Sequence, residues 1–198
     1  MSVDFQNSQT KDNLMRAFAG ESQARNRYTF AAGEAIRQKQ HMIADVFLFT
    51  ANQEKEHAEI FYNHLKELSG QNICVDGKYP VDISEDIVSL LKSAKHNEYE
   101  EFEDVYQAFA TVANEEGFMK VAQDFKNIAN IEKIHGDRFD SLAQLLENGQ
   151  LFVSDVKCQW MCLNCGHIHE GTQVPERCPV CNHDQGYFIR VEFAPYHK

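Results

Sequence analysis

Proline is scarce in this chain. Its 198 residues hold four, at positions 80, 175, 179 and 195, so 1–79 and 81–174 run free of the strongest helix breaker. Basic side chains are also few. Nineteen Lys and Arg stand against 30 Asp and Glu, a net charge of −11, which excludes a nucleic-acid binder that tracks phosphates. No apolar run approaches the ~20 residues that cross a bilayer. Met1 to Asn7 has neither a basic patch nor an apolar stretch, so no signal peptide and a cytoplasmic location are expected. The remaining composition, 43% hydrophobic and 25% charged, excludes disorder, collagen and coiled-coil rods. The length suffices for one medium domain and a small appendage.

Charge is unevenly spread, with −1 on residues 158–198 and −10 on the rest. That surplus is either a solvated surface or a set of inward carboxylates that bind cations, and spacing decides between them.

Four stretches carry apolar residues at steps of three and four. They run from Leu14 to Ala35, from Ile43 to Leu68, from Ile87 to Val112 and from Ala122 to Leu146. Each is a helical stripe that faces a common core, and four such helices make a bundle. Ser84, Glu85 and Asp86 read as the start of the third helix. The connection before it, Gly70 to Ile83, is fourteen residues long. It can span ~45 Å, the length of a ~30-residue helix, so it can cross the whole bundle as a ferritin-like topology requires. The joins near Arg37–His41 and Asn114–Gly117 are short.

The halves repeat. Ala44, Phe47, Ala51, Asn52, Glu54, Lys55, His57 and Phe61 recur 78 residues later as Ala122, Phe125, Ala129, Asn130, Glu132, Lys133, His135 and Phe139. Glu21 and Glu98 precede the Glu of their Glu-x-x-His units by 33 and 34 residues. A pseudo-two-fold axis is expected.

Glu21, Glu54, His57, Glu98, Glu132 and His135 lie in line with Phe, Leu, Ile and Ala. A buried carboxylate without a partner is unfavourable, and Arg or Lys partners on the stripes are few. A Glu and a His at i and i+3 share a helix face. One Glu from each of two helices plus Glu-x-x-His from the other two is a dinuclear carboxylate arrangement, suited to iron or manganese. Glu101, one turn past Glu98, is either a seventh ligand or a surface acid. Tyr28 and Tyr106 either donate hydrogen bonds to ligand carboxylates or are ordinary core aromatics.

Four of the six cysteines form two knuckles, Cys162-Leu163-Asn164-Cys165 and Cys178-Pro179-Val180-Cys181, with twelve residues between them. Paired Cys-x-x-Cys units point to a tetrahedral site of four thiolates, holding zinc or iron. Cys74 and Cys158 read as free thiols. His167, His169, His183 and His197 read as surface residues, and Trp160, Tyr187 and Phe188 as the small domain's core.

This layout resembles the rubrerythrin family. Phe18 to Tyr28 is similar to its first helix, and Cys162 to Gly171 to its first knuckle. The resemblance implies an all-α four-helix bundle of ferritin-like type over residues 1–150, followed by a small β-rich rubredoxin-like domain over 151–198. It implies a non-haem diiron centre on Glu21, Glu54, His57, Glu98, Glu101, Glu132 and His135, and a mononuclear iron on Cys162, Cys165, Cys178 and Cys181. The implied activity is reduction of hydrogen peroxide to water, with one iron moving between His57 and Glu101. Implied partners are an electron donor, either an NAD(P)H-dependent flavoprotein reductase or rubredoxin, and a second copy of the chain in a homodimer or larger assembly. The tail Val191 to Lys198 departs from the family's pattern.

The sequence admits three rival readings. A ferroxidase or iron-storage protein leaves the thiolate module without a use. A zinc-ribbon interaction module leaves the core-facing Glu-x-x-His pairs unexplained. A manganese catalase needs no electron relay.

Overall fold

The computed structural model describes residues 3–194. Helix α1 spans Gln9–Arg37 and α2 spans His41–His64. An irregular crossover leads to α3, Ile87–Glu100, which passes through a π-helical segment, Glu101–Val105, into α4, Tyr106–Glu115. Helix α5, Met119–Glu147, completes a bundle of four rods, the third of them in three pieces. The small sheet follows, with β1 at Val153–Cys162, β2 at Ile168–Gln173 and β3 at Phe188–Arg190. Its order is β2-β1-β3 and both pairings are antiparallel. No helix among the described residues is long and apolar enough to cross a membrane.

Local chemistry sets the helix ends. Ser8 caps α1, its side chain accepting from Lys11 N at 3.0 Å. The third rod starts later than its sequence suggests. Asp86, not Ser84, is the cap, because its carboxylate takes both Ser89 N at 2.8 Å and Ser89 Oγ at 2.6 Å. Ser84 Oγ instead accepts from Asp86 N at 2.9 Å and shapes the turn before the helix.

Two apolar cores fill the bundle. One gathers Tyr28, Phe47, Leu91 and Phe139, the other Leu14, Phe61, Tyr106 and Phe125. Each fully buried phenylalanine contributes roughly 1.5–3 kcal/mol. The repeat is visible in ring contacts. Phe47 meets Phe139 at 5.2 Å between centroids, and its repeat partner Phe125 meets Phe61 at 4.9 Å. Tyr28 lies 5.1 Å from Phe139, and Tyr106 lies 5.4 Å from Phe61. The pseudo-two-fold axis therefore relates both helix hairpins and their side chains.

The small domain packs on the His41 end of α2. Ile189 and Ala194 join the first bundle core, while Trp160, Cys162, Val174, Cys178 and Phe188 make a core of their own. The His41 ring stacks on Tyr187 at 4.0 Å. Lys39, at φ 59°, closes the α1–α2 turn and presents its carbonyl to Gly186. A Cβ on Gly186 would lie 1.9 Å from that oxygen, so only glycine allows the approach.

Gly186→Ala should break the seam, so limited proteolysis around residues 148–152 should accelerate while the four-cysteine domain keeps its own metal spectrum. Glu116, in the α4–α5 turn, accepts from Gln9 N at 2.9 Å and from Thr10 N at 2.8 Å, capping α1 from across the bundle. Against the penalty of burial, these bonds and Thr10 Oγ1 hold its carboxyl below the usual range. Glu116→Ala should cost about 1–2 kcal/mol in denaturant unfolding near neutral pH. A depressed folded pKa means that Glu116 stabilises above the ordinary carboxylate pKa and stops doing so as pH falls through the folded one. The gap between wild type and variant should therefore close in acid.

Candidate metal centres

Between the two apolar cores lies a layer of carboxylates. Glu21 and Glu132 are 0% exposed, and Glu54 and Glu98 are 1% exposed. Each comes from a different rod: α1, α5, α2 and α3. Glu54 and Glu132 each face both histidines. His57 Nδ1 lies 3.0 Å from Glu54 Oε2 and 2.9 Å from Glu132 Oε1. His135 Nδ1 lies 2.9 Å from Glu54 Oε1 and 2.9 Å from Glu132 Oε2. Two ligand sets result, sharing Glu54 and Glu132. The first adds Glu21 and His57, and the second adds Glu98 and His135.

Both tyrosines cross the axis. Tyr106 Oη donates to Glu21 Oε1 at 2.5 Å, and Tyr28 Oη donates to Glu98 Oε1. Each half thus steadies the other half's terminal carboxylate.

The donor set fits cations and little else. Of eight buried polar side-chain atoms left without a hydrogen bond among the described residues, six lie here. They are Glu21 Oε2, Glu54 Oε1, Glu98 Oε2, both Glu132 oxygens and His135 Nδ1. His135 Nδ1 is close to carboxylate oxygens, yet none lies along its N–H direction. Contact without hydrogen-bond geometry suits an ion between the groups.

Electrostatics agree. Burial, reinforced by Glu54, pushes the Glu98 carboxyl up to about 8. Burial also lifts Glu21 well above the usual range, helped by Glu132, Glu101 and Glu54. Against burial, Glu132 and Glu54 hold His57 up to about 10 and, with Glu98, hold His135 up to about 12. The same histidines draw Glu54 down to about 2 despite its desolvation. Without metal, protons on the imidazoles offset the buried negative charge.

Glu101 stands apart. It is half-buried at the start of the π segment, with Oε1 3.9 Å from where a Gly20 Cβ would sit, and it belongs to neither ligand set. It lines a cavity of about 150 Å³ between α1, the π segment and the crossover, together with Gly20, Arg27, Tyr79 and Tyr106. The π segment is not apparent from the apolar periodicity, although its signal is in the sequence. Glu21 and Glu98 are 77 residues apart, whereas Tyr28 and Tyr106 are 78 apart. One residue is inserted between Glu98 and Tyr106, and the π segment absorbs it.

In the small domain, Cys162 Sγ lies 3.7 Å from Cys181 Sγ, and Cys165 Sγ lies 3.6 Å from Cys178 Sγ. A tetrahedron with metal–sulfur bonds of ~2.3 Å has edges of ~3.8 Å. A disulfide requires ~2.05 Å. Each knuckle is a tight turn, closed by Cys162 N to His167 O at 2.9 Å and by Cys178 N to His183 O at 2.8 Å. The His183 amide draws the Cys181 thiol down to about 6, while burial pushes Cys162 up to about 12. Cys158, bonded at 3.9 Å to Gly171 O, and exposed Cys74 lie outside the set. His183 Nδ1 meets Cys181 O at 3.2 Å and His169 Nε2 meets Gln173 O at 3.0 Å, so neither joins the thiolates. His197 and the tail beyond Ala194 lie outside the described residues.

Ligands must be deprotonated to bind metal. Loading the metal-free bundle with ferrous ion at pH 7 should therefore release the two imidazolium protons at least, and affinity should rise with pH. A proton-release titration in weak buffer, anaerobically, checks both.

Comparisons with known proteins agree with this geometry. Residues 12–143 match the family model for rubrerythrin, and residues 160–189 match that for the rubrerythrin rubredoxin-like domain. The rubrerythrin of Clostridium perfringens is 44% identical over 182 residues, covering 91% of this chain and 93% of that protein. That of Nitratidesulfovibrio vulgaris is 39% identical, with the same coverage of both. A solved structure of fully reduced, all-ferrous nigerythrin superposes with a TM-score of 0.63 at 30% identity, covering 96% of this chain and 88% of that one. Mycobacterium tuberculosis bacterioferritin BfrA, at 16% identity, TM-score 0.63 and coverage of 75% and 90%, shares the fold. A non-haem diiron centre and a mononuclear iron held by four cysteines are the cofactors of such proteins, and the donor sets here suit both. On its sequence over both matched segments, this chain belongs to the rubrerythrin family.

Proposed function

We propose that this chain is a non-haem diiron peroxidase that reduces hydrogen peroxide to water, fed with electrons through its four-cysteine iron. The observation that carries this reading is the presence, in one chain, of two metal-ready sites of opposite character. One is a buried carboxylate–histidine pair of sites, the other a four-thiolate site whose preformed tetrahedron changes charge with little rearrangement. In this reading Glu21, Glu54, His57, Glu98, Glu132 and His135 hold the diiron centre, and the four knuckle cysteines hold the single iron. The bundle over 1–150 is the catalytic domain and 151–198 the relay. When bound, a ferrous pair would supply the two electrons that O–O cleavage takes up, and an iron held by the four cysteines would supply single-electron transfer.

The chain's own residues do the rest. The cavity beside Glu101 is about 150 Å³, ample for a molecule little larger than water. It gives peroxide a way in while the apolar cores above and below exclude bulk solvent. Burial, with Glu98, Glu132 and Glu54 nearby, raises the Glu101 carboxyl well above the usual range, so it can hold a proton at the cavity wall. In this reading Glu101 is also the alternative to His57 at the Glu21 site, supported by its place in the π segment with Oε1 beside Gly20, the residue before Glu21. Tyr28 and Tyr106 fix the terminal carboxylates while charge at the centre changes.

The relay site sits at the His41 end of α2, thirteen residues from Glu54, or about 20 Å of helix. A homodimer or larger assembly, placing one subunit's thiolate site against another's diiron centre, shortens that path. A rubredoxin or an NAD(P)H-dependent flavoprotein is the donor upstream.

Reducing the protein anaerobically and adding stoichiometric hydrogen peroxide tests the reading. The ferric-thiolate band should return at once, and far more slowly with dioxygen. Absence of a visible band in either oxidation state would overturn it. Glu101→Ala should slow peroxide turnover at least tenfold with metal content retained, and an unchanged rate would remove Glu101 from the mechanism.

A further inference from the structure

The two histidines are equivalent in the repeat but not in their support. His135 turns Nδ1 to the carboxylates, and its Nε2 faces Gln53 Oε1 at 3.1 Å. That oxygen also accepts from Arg138 Nη1 at 3.2 Å, and Arg138 Nη1 donates again to Thr50 Oγ1 at 2.9 Å. The guanidinium lies over the Phe49 ring at 5.3 Å. Arg138 is a permanent donor, so it fixes which end of the Gln53 amide faces His135. The amide oxygen then selects the His135 tautomer with its proton on Nε2, leaving the Nδ1 lone pair for a metal.

The repeat makes the comparison with His57 direct. Seventy-eight residues from Thr50, Gln53 and Arg138 stand Ile128, Ile131 and Ile60. All three polar positions that support one histidine are isoleucine around the other. Accordingly, no acceptor among the described residues meets His57 Nε2. His57 is 5% exposed where His135 is 0%.

We propose that Gln53 and Arg138 are positioning residues that lock His135 to its ion, a support that the isoleucines at the equivalent positions do not give His57. This rests on the diiron reading above. It names the residues that make two histidines equivalent in the repeat unequal in support.

The test loads the full chain with zinc(II), which gives sharp histidine NMR signals, and titrates zinc into the metal-free chain. Wild type should show a protected His135 Nε2–H and no such signal for His57. Gln53→Leu keeps the side-chain volume but removes the acceptor. It should lose that signal and weaken one of the two bundle zinc ions about 10–100-fold. Gln53→Glu, which still accepts from Arg138 and His135, should restore both. Ile131→Gln should create a protected ring N–H on His57. An unchanged His135 signal and affinity in Gln53→Leu overturns the proposal, as does equal weakening of both ions, which marks a packing role. These readouts involve no peroxide, so a failure of the peroxidase reading leaves them intact and a failure here leaves peroxide turnover to be judged separately.

Discussion

Four carboxylates buried to within 1% of full enclosure, each on its own helical rod, impose the constraint to which the rest of the bundle answers. Like charges at this depth repel, and water cannot screen them. In the metal-free chain the two imidazoles hold protons up to about 10 and about 12, and Glu98 is pushed up to about 8. The layer is thus a charge balance that protons fill provisionally and cations fill better. Its stability comes from outside itself. The phenylalanine–tyrosine clusters on either side hold the rods at the distances the ligands need, and the crossed Tyr28–Glu98 and Tyr106–Glu21 bonds tie the hairpins together.

Much of this is legible in the sequence because repetition converts weak signals into strong ones. One Glu-x-x-His unit on an apolar stripe means little. Two in register 78 residues apart, with Glu21 and Glu98 upstream, define the four rods and the six residues that the structure gathers. What periodicity does not convey is the break in the third rod. A reading by apolar steps of three and four tolerates one extra residue, so the π segment hides inside an apparently continuous helix. Only the change from 77 to 78 between equivalent positions exposes it. The start of α3 is misplaced for a related reason. Ser84, Glu85 and Asp86 are all competent N-terminal residues, and the choice falls to whichever side chain reaches Ser89 N.

The small domain is legible in another way. Cysteine spacing specifies the thiolate tetrahedron almost without reference to the rest of the chain. How that domain meets the bundle is invisible to spacing, because the seam depends on Lys39 adopting a positive φ and on Gly186 lacking a side chain. The stacking of His41 on Tyr187 then places the four-cysteine domain at one end of α2, with the carboxylate layer farther along the same helix.

The departures from the repeat matter most, and they converge. The inserted residue between Glu98 and Tyr106 brings Glu101 to the wall beside Gly20, next to the set that contains Glu21 and His57. Isoleucines stand where a Thr–Gln–Arg support would meet His57, which belongs to that same set. The other set, Glu98 with His135, keeps both its tyrosine bond and its amide anchor. A symmetric duplicated scaffold has therefore been made asymmetric twice, on one side only. The set with Glu21 and His57 thus has a further carboxylate beside it and an imidazole without a polar support, while the set with Glu98 and His135 has that support. In the proposed peroxidase, a centre that passes between two oxidation states needs one adaptable ion and one stationary reference, and the inserted residue and the in-register substitutions together supply that division.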